Sequence, residues 1–125
     1  MADKCCCGGK VRLIFPCSGG SDVGELTDRA ARKLTRNGWG KMYCLAGVGA
    51  HLSGFIESTK AADAVIAIDG CPTACASKVL EHTGFKPKKY NLNEMGFVKG
   101  SSPVSGDAIK RVCAVIQKKR DNKTK

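Results

Sequence analysis

Aromatic side chains are scarce in this sequence, at 6% of its residues. That scarcity leaves nothing to build a base-stacking platform from, so a nucleic-acid partner is not expected. Long apolar runs are missing as well. Residues 11–15 and 64–68 are strand-length, and no run approaches the roughly 20 residues a membrane span needs. The opening, MADKCCCGGK, lacks the apolar stretch of a secretory leader, so the expected compartment is the cytoplasm and no membrane partner is expected. Acidic residues are in the minority, 11 against 21 Lys and Arg, giving a formal net charge of +10. Otherwise 42% hydrophobic and 26% charged residues describe an ordinary globular chain rather than a disordered one. At 125 residues it is long enough to bury one core without disulfide staples.

What is abundant is cysteine, 8 in all. In a secreted miniprotein such density builds a disulfide framework, whereas in a reducing compartment it points to metal or redox chemistry. Positive charge is the second abundance, and it is unevenly placed. Residues 1–85 carry 10 basic and 8 acidic side chains, residues 86–125 carry 11 and 3. The run 118–125 is almost without apolar content and is expected to be a solvated, flexible tail.

Short apolar runs alternate with helical periodicity. Residues 11–15 predict a buried strand that stops at Pro16-Cys17-Ser18-Gly19-Gly20. Ser21 and Asp22 are N-cap candidates, and Asp22 with Glu25 has capping-box spacing. Val23, Leu26, Ala30 and Leu34 then recur at helical intervals up to a Gly38 stop. Residues 41–45 predict a second strand, followed by the loop Ala46-Gly47-Val48-Gly49-Ala50 and a short helix from Ser53 to Ala62. Residues 64–68 are apolar throughout, as in a strand covered on both faces. Pro72 suits the first position of a third helix, which stops at Gly84. Tyr90-Asn91-Leu92 predicts a weak fourth strand, and Ile109, Val112, Cys113 and Ile116 mark a last amphipathic helix. The alternation predicts a single α/β domain: an open, mostly parallel sheet with helices on both faces, a Rossmann-like three-layer arrangement. Its expected bounds are 11–117, between a flexible Cys-rich leader (1–10) and the basic tail.

This order puts Cys17, Cys44 and Cys71 at or just past the carboxyl ends of three strands, the edge where open α/β sheets place their ligands. Cys75 follows Cys71 by four residues, one turn of the expected helix. Four thiolates there make a soft tetrahedral set suited to Zn²⁺ or an iron–sulfur cluster. The same thiols could instead serve redox or sulfur-transfer chemistry. Cys113 lies on the apolar face of the last helix and is expected in the core. Cys5, Cys6 and Cys7 sit on a glycine hinge; with the basic tail, they are the candidate contacts for a protein partner. His51 is a candidate loop ligand, His82 a helix-surface residue, and Asp69 a cap for the helix that follows.

Other chemistries are excluded by what their motifs lack. A thiol-phosphatase loop starting at Cys17 needs Arg where Val23 stands. A Walker loop needs Gly-Lys-Ser/Thr where the chain has Gly24-Glu25-Leu26, and a dinucleotide fingerprint from Gly47 needs glycine at Leu52. Simple anion binding at Gly19-Gly20-Ser21 stays open.

With Asp69-Gly70-Cys71 in place, the chain resembles the DGC-domain family of zinc-binding proteins, named for that tripeptide. The likeness spans residues 11–104. It is carried by Pro16-Cys17-Ser18-Gly19, Ser21-Asp22-Val23-Gly24-Glu25-Leu26, Cys44-Leu45-Ala46-Gly47-Val48-Gly49, Ile68-Asp69-Gly70-Cys71-Pro72, Cys75-Ala76 and Ser101-Ser102-Pro103-Val104. The resemblance implies four chelating cysteines, which fall on Cys17, Cys44, Cys71 and Cys75. It brings no substrate or reaction with it.

Overall fold

The computed structural model describes residues 10–123, with side chains as far as Lys118. Cys5, Cys6 and Cys7 lie outside the described residues. The elements run β1 (Arg12–Pro16), α1 (Asp22–Arg36), β2 (Lys41–Met42), α2 (Leu45–Gly49), α3 (Ser53–Ala61), β3 (Ala64–Asp69), α4 (Cys75–His82), β4 (Lys88–Asn91), a 3₁₀ turn (Leu92–Met95) and α5 (Gly106–Lys123). Every strand pair is parallel, in the order β2-β1-β3-β4.

The period-2 alternation of strand side chains divides the apolar residues into two cores. Ile14, Ile66, Ile68 and Tyr90 meet Val23, Leu26, Ala30 and Leu34 of α1 and Val112, Cys113 and Ile116 of α5. Leu13, Phe15 and Ala67 meet Val48 of α2 and Ala76 and Leu80 of α4 on the other face, with Phe55 and Ile56 of α3 packed alongside. Both faces of the central strands are therefore covered. This is why Leu13 to Phe15 and Ala64 to Ile68 are apolar at every position. Each fully buried large side chain, such as Ile14 or Phe15, contributes about 1.5–3 kcal/mol relative to exposure. Cys113 sits in the first core as expected, its thiol donating to the Ala30 carbonyl at 3.6 Å.

β1 is followed through α1 by β2 on one side; β3 then adds on the other side of β1. The connections diverge between β1 and β3, which makes that pair the topological switch point. Their carboxyl ends release Cys17 and Cys71.

Several boundaries differ from the sequence expectation. β2 is two residues long and not five, because the chain turns at Cys44 into α2, where a loop was expected. Pro72 does not start α4. Residues 71–74 form a turn closed by the Ala74 amide on the Cys71 carbonyl (3.0 Å), and the helix starts at Cys75. Asp69 sets that start: its buried carboxylate accepts the Ala76 amide (2.7 Å) and both the amide and hydroxyl of Ser77 (3.1 and 2.7 Å). Asp69 thus caps α4, as expected. Ser21 caps α1 through the Gly24 amide (3.1 Å). No capping box forms between Asp22 and Glu25, because the Asp22 carboxylate takes the amides of Gly100 (2.9 and 3.0 Å) and Ser102 (2.9 Å), while Glu25 pairs with Arg29. Among the described residues, no helix is long and apolar enough to cross a membrane.

Candidate functional site at the carboxyl edge of the sheet

Cys17 follows β1 directly; its amide extends the ladder by donating to the Ile68 carbonyl at 2.9 Å. Its half-buried thiol lies 3.5 Å from the hydroxyl of Thr27. Thr27 is fully buried and organises this loop: its hydroxyl donates to the Gly24 carbonyl (2.7 Å) and accepts the amide of Ser18 (3.1 Å). Ser18 has a φ of 51°, a conformation costly for a residue with a side chain. Its hydroxyl is tied to Asp28 at 3.0 Å.

Cys44 is the N-cap of α2, with its exposed sulfur accepting the Gly47 amide at 3.3 Å. Gly47 must be glycine, since a Cβ there would stand 2.6 Å from the Phe55 ring.

Cys71 leaves β3 through Gly70, whose Cβ position lies 2.8 Å from the Val23 carbonyl carbon. Only glycine lets the β3–α4 loop approach the start of α1 so closely. The Cys71 carbonyl accepts the Asn91 side-chain amide from the end of β4 at 2.9 Å. The Thr73 hydroxyl, then the Thr73 amide, hold the Cys71 thiol below its ordinary value; the Lys99 charge and the Ala74 amide add to this, against a smaller opposing effect of burial. Cys71 is therefore the thiol whose surroundings favour thiolate. Cys75 is exposed at the first position of α4. By contrast, burial pushes the Cys113 thiol up, with the Lys33 charge opposing.

The three strand-end cysteines thus follow three adjacent strands, β2, β1 and β3, at one edge, where neighbouring chains run about 4.8 Å apart. All four expected ligands are free thiols. Among the described residues no three His, Cys, Asp or Glu side chains stand close enough together to hold a metal ion. Cys71 and Cys75 are separated by the 71–74 turn rather than stacked one helical turn apart. His51 is exposed with a φ of 60° in the turn after α2, and His82 is exposed at the end of α4.

Four residues at this edge escape a sequence reading: Thr27, Thr73, Asn91 and Lys99. Thr27 reads as one more polar position of an amphipathic helix, although full burial of its hydroxyl gives it the loop to hold. The Asp22 tether holds the loop that carries Lys99, whose charge acts on Cys71 from a distance and has no local sequence signal.

A parallel three-layer sheet with free thiols along the edge that open α/β folds use for ligands defines the general class of this protein. Within that class the chain belongs to the DGC domain family, which it matches over residues 13–116. It is 32% identical over 88 residues to the Anaerobic and virulence modulator AnvM of Pseudomonas aeruginosa, covering 70% of this chain and 67% of that protein. No solved structure matches.

Proposed function

We propose that the carboxyl edge of the sheet binds a soft metal ion, Zn²⁺, through Cys17, Cys44, Cys71 and Cys75. The observation that carries this reading is that three adjacent parallel strands each deliver a free thiol to one edge, with a fourth at the start of α4. The donor set suits the ion: four sulfurs, one already biased toward thiolate. All four lie in loops or at helix starts, so drawing them to one point is a matter of loop adjustment around the strand ends. A four-thiolate zinc has no open position, which favours metal handling or sensing over hydrolysis. The name of the Pseudomonas relative ties that protein to anaerobic and virulence modulation; a thiol–metal sensor is chemistry compatible with such a role.

Protein purified anaerobically, without a metal-affinity tag, is expected to be colourless and to carry about one zinc per chain. Serine at any of the four positions should lower that stoichiometry, whereas Cys113→Ala should not. Metal-free protein with four freely alkylated thiols overturns the reading, and a brown protein replaces zinc with an iron–sulfur cluster.

A second reading, thiol-based redox or sulfur transfer, is favoured by the surroundings of Cys71 alone. It requires Cys71 in reduced, metal-free protein to be alkylated at lower pH than Cys17, Cys44 and Cys75. Equal profiles for all four sink it.

A further inference from the structure

On the face of the molecule covered by α1 and α5, a groove of about 550 Å³ runs between the two helices. Arg29, Arg32, Lys33 and Arg36 line it from α1, and Lys110 from α5. The four α1 cations recur at i, i+3, i+4 and i+7, so they are neighbours on one helix face and repel one another. Lys33 and Arg36 lie in the last turn of α1, where the helix dipole welcomes them; Arg29 does not. Lys110, in the second turn of α5, gains nothing from the dipole of its own helix. Local pairing accounts for Arg29 and Arg32, and the dipole for Lys33 and Arg36, yet the groove as a whole gathers five cations against two carboxylates, an excess of positive charge open to a ligand.

The cations are also available. Arg29 and Arg32 each use Nε to pair with Glu25 and Asp28, at 2.9 and 2.7 Å. These pairs fix the guanidinium planes and leave their terminal nitrogens for a further acceptor. Lys33, Arg36 and Lys110 make no ion pair among the described residues. Arg32 and Arg36 also line a second, more apolar groove that passes Met42 and Tyr43 and ends at Cys44.

We propose that the α1–α5 groove is a docking surface for an acidic segment of a partner protein. Forked guanidinium groups match carboxylates, and half-buried Ile109 gives the groove an apolar strip for an aliphatic side chain. Nucleic acid fits less well. Glu25 and Asp28 sit within the groove and would face a continuous phosphate backbone, whereas a protein segment can place a lysine against them. No aromatic ring lines the groove to receive a base. A segment docked here and extending past Arg36 would lie beside the exposed thiol of Cys44. This docking surface goes beyond the metal reading and stands without it, since no thiol lines the α1–α5 groove.

The test is titration of the full chain with a fluorescent Glu-rich peptide, the site being mapped by amide chemical shifts. Shifts are expected on α1 and the first turns of α5, with affinity falling steeply as salt rises. Reversing exposed charges in R36E/K110E should weaken binding about tenfold or more, with R36Q/K110Q intermediate and the far-ultraviolet spectrum unchanged in both. Shifts confined to residues 118–125 overturn the proposal, as does affinity unaffected by either double variant. Tighter binding of a DNA duplex of equal charge overturns it in favour of nucleic acid.

Discussion

Two aspartates hold segments together in ways that their neighbours in sequence do not reveal. Asp69 is 1% exposed and satisfies two amides and a hydroxyl at the start of α4. Removing its carboxylate in Asp69→Ala leaves the buried Ala76 and Ser77 amides without an acceptor, an expected loss of about 2–4 kcal/mol. Urea denaturation measures this directly, and a loss below about 1 kcal/mol would show that water replaces the cap. Asp22 works at longer range, tethering the 98–102 loop that carries Lys99 toward Cys71. The Gly100 amide first, then that of Ser102, hold its carboxyl below the ordinary value, with burial opposing. Because the folded value lies below the unfolded one, the tether's contribution is fully present above the unfolded carboxylate range, about pH 4. It is lost as pH falls through the lower, folded value. Thermal midpoints recorded between neutral and strongly acidic pH should therefore fall less steeply for Asp22→Asn than for the wild type. Parallel curves would mean that the tether does not contribute.

Among the elements, the β3–α4 loop and the first turn of α1 approach each other through backbone that cannot give way. At Gly70 an added methyl group would stand 2.8 and 2.9 Å from the Val23 backbone and Cβ, neither of which can swing aside. Gly70→Ala is expected to cost about 1–3 kcal/mol and to displace the Cys71 loop, changing the alkylation rate of Cys71 more than that of Cys44. A neutral substitution would mean that the two segments separate freely. In Asp69-Gly70-Cys71 each residue thus has a separate physical role, since Asp69 caps a helix, Gly70 permits a close approach and Cys71 presents a thiol. The strands and α1, α4 and α5 were legible in the sequence because apolar periodicity reports burial directly. Two starts were not. β2 reads as five residues because Tyr43, Cys44 and Leu45 are apolar enough to continue it, yet Cys44 caps α2 and ends the ladder. Pro72 is a good first residue for a helix, but the Asp69 carboxylate, reaching the Ala76 and Ser77 amides, sets the start three residues later. The strand-end positions of Cys17, Cys44 and Cys71 could be read from chain order alone. The Asn91 contact and the Lys99 charge could not, since each depends on chain returning from 20 or more residues away.

For the molecule as a whole, the proposed ion would join the loops following β1, β2 and β3 and the start of α4 through a single point. Global unfolding would then have to release it, so binding should stabilise the entire fold rather than one loop. A ligand that binds only the folded chain adds about 2.7 kcal/mol at one hundred times its dissociation constant. In a chain this small that raises the midpoint by several degrees. Chelation of a zinc-loaded sample should therefore lower the thermal midpoint by several degrees, and restored zinc should recover it. Hydrogen exchange should quicken at the Cys17, Cys44 and Cys71 loops beyond the change seen in α5. Binding at the α1–α5 groove gives the comparison that separates the two sites: an acidic segment should raise the midpoint of metal-free protein as well. If its effect appears only with zinc bound, Cys44 and the basic face form one coupled site; additive effects, within about 0.3–0.5 kcal/mol, make them independent. A midpoint indifferent to chelation, in protein shown to carry zinc, would place the ion away from the sheet edge and remove Cys17, Cys44, Cys71 and Cys75 as its joint ligands.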